Sequence, residues 1–85
     1  MTMEIDVTIK LKQGVTDPEG ENTKKALNLL GFRTVHGVKT MKTFRIEVES
    51  ADEEQTKIEV AEMCRKLLAN PVIHDYELSV VKREG

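Results

Sequence analysis

Leu11-Lys12-Gln13-Gly14-Val15-Thr16-Asp17-Pro18-Glu19-Gly20-Glu21-Asn22-Thr23-Lys24-Lys25-Ala26-Leu27-Asn28-Leu29-Leu30-Gly31-Phe32 holds a strand end, a turn, a helix start and a helix stop in succession. It therefore sets the phase of everything on either side. Asp17-Pro18 is a strong helix opening. An aspartate carboxylate accepts from the free N–H groups of a first helical turn, and proline at the first position lacks a donor that would go unpaired. Gly31 is an equally clear exit, because glycine enters the left-handed backbone that closes a helix without strain. The spacing predicts a helix over 18–30, with Ala26, Leu27 and Leu30 as a narrow apolar stripe and Thr23 on its flank. Gly20 lies in the first turn, where it weakens the helix by roughly 1 kcal/mol relative to alanine. Either another backbone packs close to it, or the first turn frays and tolerates it.

Upstream of this stretch, Met3, Ile5, Val7, Ile9 and Leu11 alternate with Glu4, Asp6, Thr8, Lys10 and Lys12. That period of two marks a half-buried strand with one charged face. Residues 13–16 make the connection, with Gly14 serving the turn. Downstream, 32–39 reads as a second, weaker strand. Val35 and Val38 are out of phase for one face of a regular strand, and Gly37 between them suggests a bulge or a strand contacted on both sides. A turn within 39–42 leads to a third strand, in which Phe44, Ile46 and Val48 alternate with Arg45, Glu47 and Glu49.

Ser50 and Glu53 have capping-box spacing, and Asp52, Glu53 and Glu54 suit the positive end of a helix dipole. The second helix is expected to run to about Ala69, burying Ile58, Ala61, Cys64 (or Met63), Leu67 and Leu68. Arg65 and Lys66 stand in its last turns, where cations are favoured, and Pro71 ends it. Tyr76, Leu78 and Val80 alternate with Glu77, Ser79 and Val81 in a fourth strand, followed by a polar tail. The order strand, helix, strand, strand, helix, strand predicts an α+β fold. Its natural form is the βαββαβ ferredoxin-like plait, one four-stranded antiparallel sheet with both helices on one face.

Eighty-five residues make one domain near the lower end of what folds unaided, so association with other chains is expected. The core must come mainly from Val, Ile, Leu and Met, since there is no Trp, one Tyr and two Phe. A net charge of −2, from 13 basic and 15 acidic residues, gives nucleic acid and anionic membranes no electrostatic support. No apolar run approaches the roughly 20 residues that span a bilayer. The N-terminus lacks the basic and apolar segments of a signal peptide, and the single Cys64 cannot form an internal disulfide. A cytoplasmic location is expected.

Candidate chemistry is sparse. His36 and His74 each lack a second His or Cys at ligand spacing, so no metal site is expected. Cys64 on an apolar helix stripe reads as a small core residue rather than a nucleophile. Gly14 and Gly20 have neither the spacing nor the Lys-Ser/Thr ending of a phosphate loop. The chain is accordingly expected to bind or to assemble rather than to catalyse. An RNA-recognition domain of the same topology needs aromatic residues on its central strands, which are missing here. An amino-acid-binding regulatory domain of the ACT type is faintly echoed by Asp17-Pro18-Glu19-Gly20, but Glu21-Asn22 follows where an apolar residue belongs. An assembly subunit is the third reading.

Four segments, in order, decide among these: 7–14 (Val-Thr-Ile-Lys-Leu-Lys-Gln-Gly); Asp17-Pro18-Glu19-Gly20 with Ala26-Leu27 and Leu30-Gly31-Phe32; 38–44 (Val-Lys-Thr-Met-Lys-Thr-Phe); and 64–78, with Leu67-Leu68-Ala69-Asn70-Pro71-Val72-Ile73 and Asp75-Tyr76-Glu77. Along nearly its whole length the sequence resembles PurS, the small-subunit family of phosphoribosylformylglycinamidine synthase. Where that family often has glycine in the 39–42 hairpin, this chain has Met41. The resemblance implies a non-catalytic subunit of a complex that makes formylglycinamidine ribonucleotide from formylglycinamide ribonucleotide, glutamine and ATP in purine biosynthesis. It implies as partners a PurQ-type glutaminase and a PurL-type synthetase, bridged by this subunit so that ammonia passes between them. It further implies a homodimer or homotetramer, and no cofactor in this chain, ATP and magnesium being used by the synthetase. The candidate oligomer or partner interface comprises Asp17, Pro18, Gly20, Val35, Val38, Lys42, Asn70 and Pro71. Pairing of edge strands is expected to build the oligomer, with the out-of-phase second strand as its motive.

Overall fold

The structure is a computed structural model that describes residues 2–84, with side chains described over 2–81. Its elements are β1 (Thr2–Leu11), α1 (Pro18–Leu29), β2 (Met41–Glu49), α2 (Glu53–Met63), a π-helical turn (Cys64–Leu68) and β3 (His74–Glu84). The fold is α+β, and β1 is its centre, flanked antiparallel by β2 and β3 in the order β2-β1-β3. The alternation in β1 is realised fully. Met3, Ile5, Val7 and Ile9 are buried on one face, while Glu4, Asp6, Thr8 and Lys10 stand half-buried on the other. Across the sheet Val7 is level with Phe44 and Leu78, and Ile5 with Ile46 and Val80. The register shifts on the β3 side between Glu4 and Ile5, a bulge that increases local twist.

Three expectations fail here. The predicted second strand over 32–39 does not form, so the sheet has three strands among the described residues, not four. The arrangement is a plait without the strand that would lie beyond β2. The reason lies in where this segment's backbone bonds go. The Asn28 side chain donates to the Phe32 and Val35 carbonyls at 2.9 and 3.3 Å, and the Asp17 carboxylate takes the Thr40 N–H at 2.8 Å. Both ends of the segment are thus tied to α1 rather than to a sheet neighbour. Edge pairing through a strand at Val35 and Val38 loses its basis. Met41 opens β2, and no non-glycine residue among those described has positive φ.

The second failure concerns α2. Its N-cap is Asp52, which accepts from the Gln55 N–H at 3.2 Å, not Ser50. Its buried face is Thr56, Val60 and Cys64, not the stripe through Ile58 and Leu67, which are exposed. Thr56 can sit inside because its hydroxyl lies 2.7 Å from the Asp52 carbonyl oxygen and 2.6 Å from the Ser50 hydroxyl. Beyond Cys64 the helix widens to a π turn, closed by the Ala69 N–H donating to the Cys64 carbonyl at 2.8 Å. The extra residue per turn moves Leu67 outward and leaves Leu68 packed against the core.

The core joins Met3, Ile5, Val7 and Ile9 to Val60, Cys64 and Ala69, with Phe44, Ile46, Val48, Tyr76, Leu78 and Val80 partly buried around it. α1 contributes no side chain to it. Gly20 is its one buried residue, and Leu29 and Leu30 are 88% and 74% exposed. Of the expected stripe of Ala26, Leu27 and Leu30, only Leu27 is half-buried, and Ala26, Leu30 and the flanking Thr23 are exposed. The radius of gyration is 16.5 Å, against about 12 Å for a compact domain of this length. α1 and the segment returning from it form an arm beside the sheet rather than a layer upon it.

Candidate functional site

The arm is closed at both ends. At its far end α1 stops in a Schellman motif: Phe32 N–H donates to the Leu27 carbonyl, Gly31 N–H to the Asn28 carbonyl, and Gly31 adopts φ +104°. At its base, Asp17 caps the helix by accepting from the Gly20 N–H at 2.9 Å. The same carboxylate takes the Thr40 N–H at 2.8 Å and the Thr40 hydroxyl at 2.9 to 3.0 Å. Those hydrogen bonds, first from the Thr40 N–H and then from the Gly20 N–H, hold the Asp17 carboxyl below its ordinary range. Pro18 is at the first helical position, where its missing donor costs nothing.

Gly20 now has a definite reason. A Cβ at this position would fall well inside contact distance of the Val38 carbonyl oxygen and 2.8 Å from an Asp17 carboxylate oxygen. The close approach is by this chain's own backbone. Asp17, Pro18, Gly20 and Val38 are thus brought together, and Thr40, which sequence reading passed over, is the residue that joins them. Val35 lies farther along the arm, half-buried under Asn28. Lys42, the second residue of β2, places its ammonium 5.7 Å from the Phe44 ring centroid.

Asn70 and Pro71 lie at the same end of the sheet, since β2 and β3 both start opposite the C-terminal end of β1: Lys10 is level with Met41, and Leu11 with His74. Asn70 organises that turn. Its side-chain oxygen accepts from the Val72 N–H at 3.0 Å, and its own N–H donates to His74 Nδ1 at 2.9 Å. At this end of the sheet lies a cleft of about 300 Å³ lined by Glu19, Thr40, Lys42, Leu68 and His74, among others. Pro71, Val72 and Leu67 are exposed beside it.

The charged face of the sheet, mixed in sign, resolves into cross-strand pairs. Arg45 clamps Asp6 through two bonds of 2.8 and 3.0 Å, Lys10 pairs with Glu77, and the Thr8 and Thr43 hydroxyls meet at 3.1 Å. Among the described residues no group of three or more His, Cys, Asp and Glu side chains could hold a metal, and no helix is long and apolar enough to cross a membrane. Cys64 is fully buried, and burial pushes its thiol up.

Comparison with known proteins identifies the assembly. The family described as "PurS: Phosphoribosylformylglycinamidine (FGAM) synthase" matches residues 4–82. The chain belongs to the PurS family. It is 60% identical over 79 residues to the phosphoribosylformylglycinamidine synthase subunit PurS of Archaeoglobus fulgidus, covering 93% of this chain and 96% of that one. The crystal structure of PurS from Methanocaldococcus jannaschii superposes with a TM-score of 0.86 at 54% identity, over 99% of this chain and all of that one. A chain of the PurLQS structure from Thermotoga maritima superposes at 0.87 with 26% identity, over 95% and 99%. The arm is thus part of a fold shared by PurS chains, and family membership makes this chain a subunit of FGAM synthase.

Proposed function

We propose that this chain bridges a PurL-type synthetase and a PurQ-type glutaminase, and assists passage of ammonia from one to the other. The carrying observation is the likeness, over 95% of its length, to a chain of an assembly containing both kinds of partner. ATP and magnesium belong to the synthetase in this reading. Ammonia released into bulk water is protonated and diluted, so a subunit that keeps the route closed to water raises transfer without reacting groups of its own.

The chain acts as a homodimer or homotetramer. Two apolar surfaces of one chain support this: the arm tip, with Leu29, Leu30 and Phe32 exposed, and the β2 side of the core, where Phe44, Ile46 and Val48 are covered only in part. Surfaces of this kind on a single chain favour closure by a second copy. Asp17, Pro18, Gly20, Val35, Val38, Lys42, Asn70 and Pro71 frame or support the contacts with copies and partners.

Reconstitution with synthetase and glutaminase subunits tests the reading. Glutamine-dependent FGAM formation should require this chain, and formation from added ammonium should depend on it far less. Equal glutamine-dependent rates with and without the chain would remove the bridging role.

A further inference from the structure

The arm tip can meet a second copy only if the arm is held at a fixed angle, and few groups could hold it. No α1 side chain joins the core, so core packing does not set that angle. The backbone connection through 12–17 has no regular structure. What remains is the base, where Asp17, Gly20, Val38 and Thr40 converge. We propose that Asp17 is the positioning residue for self-association: by binding Thr40 while capping α1, it locks the arm at the angle that presents Leu29, Leu30 and Phe32 to a second copy of this chain. The inference rests on the self-association reading above.

The geometry makes this more than a helix cap. A cap needs one acceptor, and the Gly20 N–H supplies its single donor. Asp17 uses its remaining capacity on the N–H and hydroxyl of Thr40, 23 residues away and adjacent to the first residue of β2. One carboxylate therefore couples the start of α1 directly to the sheet. Gly20 completes the lock by letting the Val38 carbonyl come within contact distance, which any side chain would prevent. The far end, tied by Asn28 to Phe32 and Val35, makes the arm move as one piece, so that a small change at the base is magnified at the tip.

Asp17→Asn separates the two roles. Asparagine caps helices as well as aspartate does. With one oxygen kept for the cap, its NH₂ faces the Thr40 N–H, donor against donor, so the tether loses its backbone bond and keeps only the Thr40 hydroxyl. The expected result is a chain with unchanged far-UV circular dichroism, faster exchange of the Thr40 amide, and a dimer dissociation constant raised about tenfold or more by sedimentation. Spin labels at Lys25→Cys and Glu47→Cys, in a Cys64→Ala background, should show a broadened distance distribution in the variant, which loss of a cap alone would not produce. Thr40→Val, which leaves the cap and the backbone bond intact, should weaken association by a smaller factor and serves as the deciding variant should Asp17→Asn fail to fold. Folded variants that associate within twofold of the wild-type chain would overturn the latch alone. A wild-type chain that stays monomeric at micromolar concentration would overturn the latch together with the self-association reading.

Discussion

The Asp17 carboxylate meets the Thr40 N–H at 2.8 Å, across 23 residues of chain, and through that contact an otherwise detached helix is joined to the sheet. No side chain of α1 belongs to the core, so this junction governs how the molecule is shaped and what it can present.

Gly20 is the steric half of the junction and gives the first prediction. Gly20→Ala should gain roughly 1 kcal/mol in helix propensity. It must also push aside a backbone carbonyl oxygen, and overpacking of this kind costs about 1–3 kcal/mol. The obstacle is backbone rather than the end of a flexible side chain, so the clash should win. The expected outcome is a lowered thermal midpoint and faster exchange of the Val38 and Thr40 amides. A raised midpoint would show that the arm base is looser than described.

The pH dependence follows from the two aspartates held below their ordinary range. Asp6 is lowered chiefly by hydrogen bonding from Arg45, and Asp17 by the N–H groups of Thr40 and Gly20. A carboxylate whose folded pKa is depressed contributes stability that is complete above the unfolded value of about 3.9. That contribution is lost as pH falls through the lower folded value. Stability should therefore be flat around neutrality from these groups and fall below about pH 4. Asp6→Asn should flatten part of that acid slope in a series of thermal melts. At the alkaline side Lys10, raised chiefly by its bond to Glu77, behaves in the opposite sense: its contribution is present below about pH 10.4 and lost above.

How far the sequence spoke for the structure depends on whether a signal was local. The alternation of Met3, Ile5, Val7 and Ile9 and the capping residues Asp17, Pro18 and Gly31 act on their own neighbours, and each does what its chemistry predicts. The strand expected over 32–39 was a non-local matter, because its backbone could bond to a sheet or to α1, and Asn28 and Asp17 settle that choice. Thr40 carries no local signal for the same reason, since its partner Asp17 lies 23 residues away. The phase of α2 is hidden in the sequence because a threonine seldom marks a buried face, yet Thr56 carries its own hydrogen-bond partners inward. The π turn after Cys64 then rotated Leu67 out of the stripe that a 3.6-residue period assigns to it.

Cys64 gives a third prediction, on reactivity. Its side chain is fully buried where α2 passes into the π turn, and burial raises its thiol pKa against the smaller opposing effect of Arg65. A protonated, enclosed thiol should not react with Ellman's reagent until the chain opens. The labelling rate at pH 8 should therefore track unfolding and rise steeply with denaturant. Rapid stoichiometric labelling of the native chain would contradict the packing of this turn. Cys64→Ser, which buries a hydroxyl, should cost about 1–3 kcal/mol if that hydroxyl finds no partner.

The last prediction sets the arm tip against the core, since only one of them should matter to an isolated chain. Val60 is fully buried beneath the sheet, and Val60→Ala removes two methyl groups from a packed site. It should cost about 2 kcal/mol in lost burial and cavity formation, lowering the midpoint by about 10 °C for a domain of this size. Leu29 and Leu30 are 88% and 74% exposed, so Leu29→Ser with Leu30→Ser should change the stability of the monomer by no more than about 1 kcal/mol, mostly through helix propensity. The two sets of variants should exchange places in an association measurement. The arm variant should lose self-association, while Val60→Ala, as long as it remains folded, should keep it. Stability must be read at protein concentrations below the dissociation constant, because association itself stabilises the folded chain by mass action. An arm variant that associates as the wild type does would move the self-contact away from α1, leaving the partly covered β2 side of the core as the surface to test next.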